Sequence, residues 1–185
     1  VVTASSLTVL QPDAALRVTE THSYSPGLLL DAAAGGAALG TLLHRCFEIL
    51  GAQPNATDVT DRLLAAAKLG AISEPVAAHV RAFEVWARTH FDGAEILREW
   101  PILALRNDGS VLSGTIDLLF RRGQDVWVLD HKSDQMDDRA AGMQRYSSQL
   151  HAYASALRMQ GYVVCGVGIN WIRSGEVDLA MTESV

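Results

Sequence analysis

The run Val126-Trp-Val-Leu-Asp-His-Lys-Ser is apolar and then abruptly charged, and no other stretch narrows the fold as much. Four strand-forming apolar residues followed by Asp130, His131 and Lys132 read as a buried strand that emerges at a sheet margin. Side chains alternate along a strand, so Asp130 and Lys132 point to one side and His131 to the other. Earlier in the chain, Gly114-Thr-Ile-Asp117 lies on a second apolar strand, and the turn signal at Arg122-Gly123 makes the two strands neighbours. Two carboxylates and one ammonium therefore converge. At roughly 4 Å, two carboxylates repel by about 1 kcal/mol in water and about 4 kcal/mol at an intermediate dielectric. Lys132 offsets one charge, and a divalent metal would offset the other. A plain Asp–Lys ion pair at a sheet margin would account for one aspartate but not for two.

The periodicity of the remaining chain builds a frame around this pair. Residues 1 to about 36 are loosely patterned, with possible short strands at Ser6-Leu-Thr-Val-Leu10 and Ala15-Leu-Arg-Val-Thr19, a turn at Pro26-Gly27 and a flexible entry at Gly35-Gly36. Leu39, Leu42, Leu43, Cys46, Phe47 and Leu50 then form a helical stripe that Gly51 is expected to close. Two further helices are expected over about 58–69, ending at Gly70, and about 74–90, opened by Ser73-Glu-Pro. Strands follow at 95–106, 111–121 and 125–131, the first two joined by the hairpin signal Asn107-Asp-Gly109. A long helix near 138–159, a buried strand at 163–172 and an edge strand at 176–181 complete the order. No internal repeat is present. Helices, a strand meander, a long helix and more strands predict an α/β fold with a mixed sheet flanked by helices. The expected organisation is one domain over 1–185, with a core from about 37 to 181.

Composition excludes several classes. At 185 residues and 49% apolar, the chain is long enough for one sizeable core. No apolar stretch approaches the twenty or so residues of a membrane span, and no secretory leader is evident. Cys46 and Cys165 lie far apart and read as buried reduced thiols, which points to the cytoplasm. Two cysteines cannot make a four-cysteine iron–sulfur or zinc site. A net charge of −6 argues against a free-standing electrostatic nucleic-acid binder, although an active site built of carboxylates adds to that deficit. The chain starts at Val1, as a piece of a longer protein or a processed one does.

Other residues are candidates by position. His44 falls about 130° from the centre of its helix's apolar stripe, with Gly40 and Glu48 one turn to either side. By itself such a histidine reads as a surface or capping residue. Gly40 costs the helix stability, which a close approach of another chain or a ligand would justify. Gln149 and Tyr153 stand at i and i+4 on the border of the stripe Met143, Tyr146, Leu150, Ala154 and Leu157, where they could hydrogen-bond phosphate or hold a lysine. Glu99 reads as a strand-edge glutamate with the option of joining the acidic pair. Glu48, Glu99 and Tyr146 form a second tier. His131 should be structural, the four tryptophans core, and His22, His79, His90 and His151 carry no assignment.

Four segments, taken in order, resemble the RecB-type nuclease branch of the PD-(D/E)xK superfamily, found at the C-terminus of AddA-like and UvrD-like helicase-nucleases. They are Leu39-Gly-Thr-Leu-Leu-His44-Arg-Cys-Phe-Glu48, Gly114-Thr-Ile-Asp117-Leu-Leu, Val128-Leu-Asp130-His-Lys132-Ser and Tyr146-Ser-Ser-Gln149-Leu-His-Ala-Tyr153. The resemblance implies a restriction-endonuclease-like fold and a metal-dependent deoxyribonuclease, an exonuclease rather than an endonuclease, in DNA end processing and double-strand-break repair. It implies that His44, Asp117, Asp130 and the backbone carbonyl of His131 hold Mg²⁺ or Mn²⁺. Lys132 would orient or deprotonate the attacking water, and Gln149 and Tyr153 would position the lysine and the DNA backbone, leaving a 5′-phosphate and a 3′-hydroxyl. The implied partners are single-stranded DNA or duplex ends and a helicase domain or subunit, since no nucleotide-binding P-loop occurs in this chain; no membrane and no iron–sulfur cluster are implied. The alternatives are a catalytically inactive DNA-binding or docking module of the same fold, and an unrelated metal hydrolase acting on a small substrate.

Overall fold

The computed structural model describes residues 2–3, 16–29, 37–105, 111–134 and 138–181. Within them one mixed sheet carries helices on both faces, as expected. Its strands are β1 (Val2–Thr3), β2 (Glu20–Ser23), β3 (Glu95–Leu105), β4 (Val111–Arg122), β5 (Asp125–Lys132), β6 (Val163–Trp171) and β7 (Glu176–Met181). The helices are α1 (Ala37–Ala52), α2 (Thr57–Ala66), α3 (Ser73–His90) and α4 (Arg139–Met159), with a 3-10 turn at Gly70–Ile72. The strand order is β1-β4-β5-β6-β7-β2, and β3 pairs with β4 as well. The meander β3–β4–β5 is antiparallel; α4 then carries the chain over to β6, which runs parallel to β5.

Two cores lie on opposite faces, because each central strand is apolar on both sides. On one face α4 buries Met143, Leu150, Ala154 and Leu157 against Val126, Val128, Val167 and Ile169. On the other, Leu43, Phe47, Val80 and Phe83 of α1 and α3 cover Leu118, Phe120, Leu129 and Val177. The helix α4 starts where the sequence supplies a cap, since the Asp138 carboxylate accepts the Ala141 amide.

Four local expectations are corrected. Leu16–Thr19 form no strand; Leu16 and Val18 pack on the α4-side core, and pairing with β7 begins only at Thr19 and Glu20. The edge position expected of 176–181 is therefore taken by β2, and β7 lies inside the sheet. Gly51 does not end its helix, which runs on to Ala52. A Cβ there would sit 2.5 Å from Cζ of Arg98, so the glycine makes room for the Arg98–Glu84 ion pair at 2.6 Å. Cys46 is buried as expected, but Cys165 is only half-buried; both are free thiols. The strand at 6–10, the Gly35-Gly36 entry and the Asn107-Asp-Gly109 turn lie outside the described residues, although Leu105 and Val111 beside that turn do pair.

Candidate active site

Strand pairing breaks where the acidic residues sit. The β4–β5 ladder runs from Arg122–Asp125 to Leu118–Leu129 and stops there. One step further, the Asp117 carboxylate accepts the backbone N–H of His131 at 2.7 Å, in place of a strand carbonyl. On its other side β4 pairs with β3 through Leu118–Arg98 and Ile116–Trp100, skipping Asp117 and Glu99. Glu99 has a φ of 48°, a left-handed backbone unusual for a glutamate. The irregularity also upsets the expected alternation, for Leu112, Ile116 and Leu119 all join one core cluster and Leu118 and Phe120 the other. The result is a fork in the sheet with carboxylates on both prongs.

The α4 helix closes the fork. Asp130 is buried and Lys132 reaches it at 2.5 Å between Nζ and Oδ2, on the α4 side of β5 as alternation requires. Lys132 Nζ also donates to Gln149 Oε1 at 3.1 Å. The amide nitrogen of Gln149 donates to Asp130 Oδ1 at 3.3 Å and to the Tyr153 hydroxyl at 2.8 Å. Tyr153 in turn donates to the Thr115 carbonyl at 2.8 Å. The orientation of Gln149 is fixed, because an ammonium can only donate and an ionised carboxylate only accept. Tyr153 is buried rather than at the helix border. Tyr146 stacks its ring 4.5 Å from the Lys132 ammonium and donates its hydroxyl to Asp134.

His44 enters from α1 with Nδ1 3.6 Å from Asp117 Oδ2. The neighbour at Gly40 is not another chain or a ligand but Ser133 of this chain, for a Cβ at that glycine would lie 2.6 Å from its hydroxyl. Burial lowers the His44 pKa, with Asp130 raising it and Lys132 lowering it, so the ring is neutral at pH 7 with a lone pair to offer. Burial first, and then the charge of Asp130, push the Asp117 carboxyl well above the usual range, against the pull of the His131 amide and Lys132. Glu99 is exposed, yet partial desolvation and the Glu48 charge raise its carboxyl too. Glu48 is engaged by Arg45 on the same helix.

By contrast the buried Asp178 is fully partnered. It accepts from Trp171 at 2.8 Å and Thr21 at 2.6 Å, with Arg139 alongside at 3.7 Å, which makes it a structural acid. Asp130 Oδ2 meets the lysine ammonium and no other polar partner.

Behind the fork lies a polar chain missed by reading the sequence. Ser25 Oγ, His79, Tyr24, Asn170 and the His131 ring are linked by four contacts of 2.9 Å each. Because Tyr24 donates to Asn170 Oδ1, His79 Nε2 must donate to Tyr24, and the Asn170 amide donates to His131 Nδ1. Burial holds the His131 pKa well below its ordinary value, so the ring is neutral, as a structural residue should be. The signal was Asn170, a lone polar residue in an apolar strand.

A family model for the PD-(D/E)XK nuclease superfamily matches residues 16–177. The chain belongs to that superfamily. Its members are typically metal-dependent nucleases, and the sheet, its flanking helices and the Asp130-His131-Lys132 triplet suit the PD-(D/E)XK pattern. No curated protein matches the chain in sequence. Among solved structures it is similar to the one titled "Crystal structure of SSO0001", at 15% identity over 78% of this chain and 67% of that one, with a TM-score of 0.39. No described helix is long and apolar enough to cross a membrane.

The donor set of this PD-(D/E)XK chain fits a divalent cation. Two crowded carboxylates, one raised carboxyl, an acid oxygen whose one polar partner is the lysine and a neutral imidazole surround the fork. The donors of His44, Asp117 and Asp130 are not all within 4.8 Å of one another, so a bound ion would draw these side chains together.

Proposed function

We propose that this chain is the nuclease domain of a RecB-type enzyme that hydrolyses DNA phosphodiester bonds at strand ends, exonucleolytically, with Mg²⁺ or Mn²⁺. The observation that carries this reading is the closed circuit Asp130–Lys132–Gln149, braced by Tyr153 and set beside Asp117 at the break in the ladder. Circuits of this kind hold a lysine in one place, and a lysine held against a catalytic acid suits water activation and phosphate neutralisation.

In this reading Asp117, Asp130, His44 and the His131 carbonyl would hold the cation, which would supply charge to the scissile phosphate and lower the pKa of water. Within a strand the N–H and C=O of one residue face the same edge, so the His131 carbonyl faces the fork as its amide does. Lys132 orients the attacking water and steadies the phosphate charge. Gln149 aims the lysine, and Tyr153 anchors Gln149 to β4. In-line attack leaves a 5′-phosphate and a 3′-hydroxyl. A net charge of −6 leaves little affinity for DNA at physiological salt, which favours work alongside a helicase domain or subunit in break repair.

The test is incubation of end-labelled single- and double-stranded DNA with the protein and Mg²⁺ or Mn²⁺. The reading expects mono- or short oligonucleotides bearing 5′-phosphates, their release stopped by EDTA and by Lys132→Ala. Cleavage by Lys132→Ala at the wild-type rate would overturn it.

A further inference from the structure

A second set of metal-type donors lies apart from the fork. Glu20 and His22 stand at i and i+2 on β2 and leave the same face of this edge strand. His90, the last residue of α3, lies over them. One donor atom from each of Glu20, His22 and His90 falls within 4.8 Å of the other two, the one such trio of His, Cys, Asp or Glu among the described residues. His22 Nε2 and Glu20 Oε2 are 3.0 Å apart.

An ion pair between neighbours on a strand explains Glu20 and His22. It does not explain why a second imidazole is brought edge-on to the first at 4.6 Å between ring centroids. Nor does it explain how firmly that ring is held. Trp86 stacks on His90 at 5.2 Å and 17°, Phe91 meets its edge at 4.6 Å, and Trp86 also touches His22 at 5.6 Å. Aromatic walls of this kind fix ligand rings before an ion arrives. Glu20 and His90 also border a cavity of about 200 Å³, through which ion and water can enter.

We propose that Glu20, His22 and His90 form a second metal site, one that takes Zn²⁺ and ties the edge strand β2 to the end of α3. Two imidazoles and one carboxylate are a zinc donor set rather than a magnesium one. Tetrahedral donors at about 2.1 Å from zinc lie about 3.4 Å from each other, a short side-chain rotation from the spacing seen here. The ion staples an exposed edge that is joined to its neighbour through four residues, Glu20 to Ser23, and so stabilises the fold. His22 lies in the row His131, Asn170, Val177, His22, about 14 Å from His131 at three strand spacings. The site is thus separate from the fork and does not depend on the nuclease reading.

The test is calorimetric titration of Zn²⁺ into untagged protein carrying Asp117→Asn, with excess Mg²⁺ to suppress binding at the acidic centre. The same titration is run after adding His22→Ala, His90→Ala or Glu20→Gln. The expected result is one Zn²⁺ per chain, a higher Tm with zinc, and a Co²⁺-loaded form with visible d–d absorption. Each added substitution should weaken zinc at least tenfold and abolish the cobalt spectrum. Glu20 and His90 are exposed, so at least Glu20→Gln keeps the metal-free Tm and remains a fair reading should a histidine variant lose stability. No zinc uptake by the parent, or equal uptake by all the variants, would overturn the proposal.

Discussion

Asp117 accepts the backbone amide of His131 at 2.7 Å, just where the strand ladder between β4 and β5 ends. A side-chain oxygen thus does the work of a strand carbonyl, and the cost is a carboxylate held beside Asp130. Because the folded-state pKa of Asp117 is raised, its contribution to stability is full below the ordinary carboxylate range and is lost as pH rises through the folded value. Asp117→Asn should therefore be more stable than wild type at pH 8 by about 1 kcal/mol, or about 2–4 °C in Tm, with the gap closing near pH 4. Calorimetry at the two pH values checks this, and the same variant should be inactive.

Lys132, Gln149 and Tyr153 should show graded losses. Lys132→Ala should lower kcat about 10³-fold, in the range for loss of a proton-handling group. Gln149→Leu removes the contacts to Lys132, Asp130 and Tyr153 and should cost about 10–100-fold, whereas Tyr153→Phe should cost about tenfold. Single-turnover cleavage of labelled DNA measures each. Equal losses for all three would mean that the circuit acts only as a unit.

The polar chain behind His131 should be worth stability rather than chemistry. Asn170→Leu leaves the Tyr24 O–H without its acceptor and His131 Nδ1 without its donor and should cost about 1–3 kcal/mol, seen as a lower urea midpoint.

His79 gives that chain a pH dependence. Its pKa is pushed down to about 4 by burial, so between pH 6.5 and 4 the unfolded chain binds a proton that the folded one refuses. Stability should fall as pH drops through that window, and His79→Gln should flatten the slope. Urea titrations at pH 7 and pH 5 read the difference.

The two glycines of α1 should respond against intrinsic propensity. Alanine at an open helix position gains up to about 1 kcal/mol over glycine. Gly51→Ala should forgo that gain, because the added methyl must displace the Arg98 guanidinium from Glu84. Gly40→Ala must turn the Ser133 hydroxyl aside, 2.6 Å from the new methyl, and should forgo the gain as well; thermal melts measure both.

Much of this architecture could be read from residue patterns, because long periodic segments carry their own burial. The Leu39–Leu50 stripe, the 95–131 meander and the α4 stripe each bury the face that their spacing implies. Asp130, Lys132 and Gln149 came together for the same reason, since strand alternation and helix spacing put them on facing surfaces. What stayed hidden depended on contacts distant in sequence. Gly51 looked like a helix end because Arg98 is far along the chain. β7 looked like an edge because β2 is four residues of polar sequence, Glu20 to Ser23. His22, His79 and His90 carried no assignment because isolated histidines show nothing of their neighbours until strand and helix meet. The break at Asp117 was equally invisible, for residues 111–121 read as one unbroken strand.

Manganese binding tests the central claim most directly. Titration of Mn²⁺ followed by electron paramagnetic resonance should show uptake at the fork by the wild-type protein, lost in Asp117→Asn and in Asp130→Asn but kept in His90→Ala. Equal Mn²⁺ uptake by the wild type and both aspartate variants would contradict a metal centre built on these two acids.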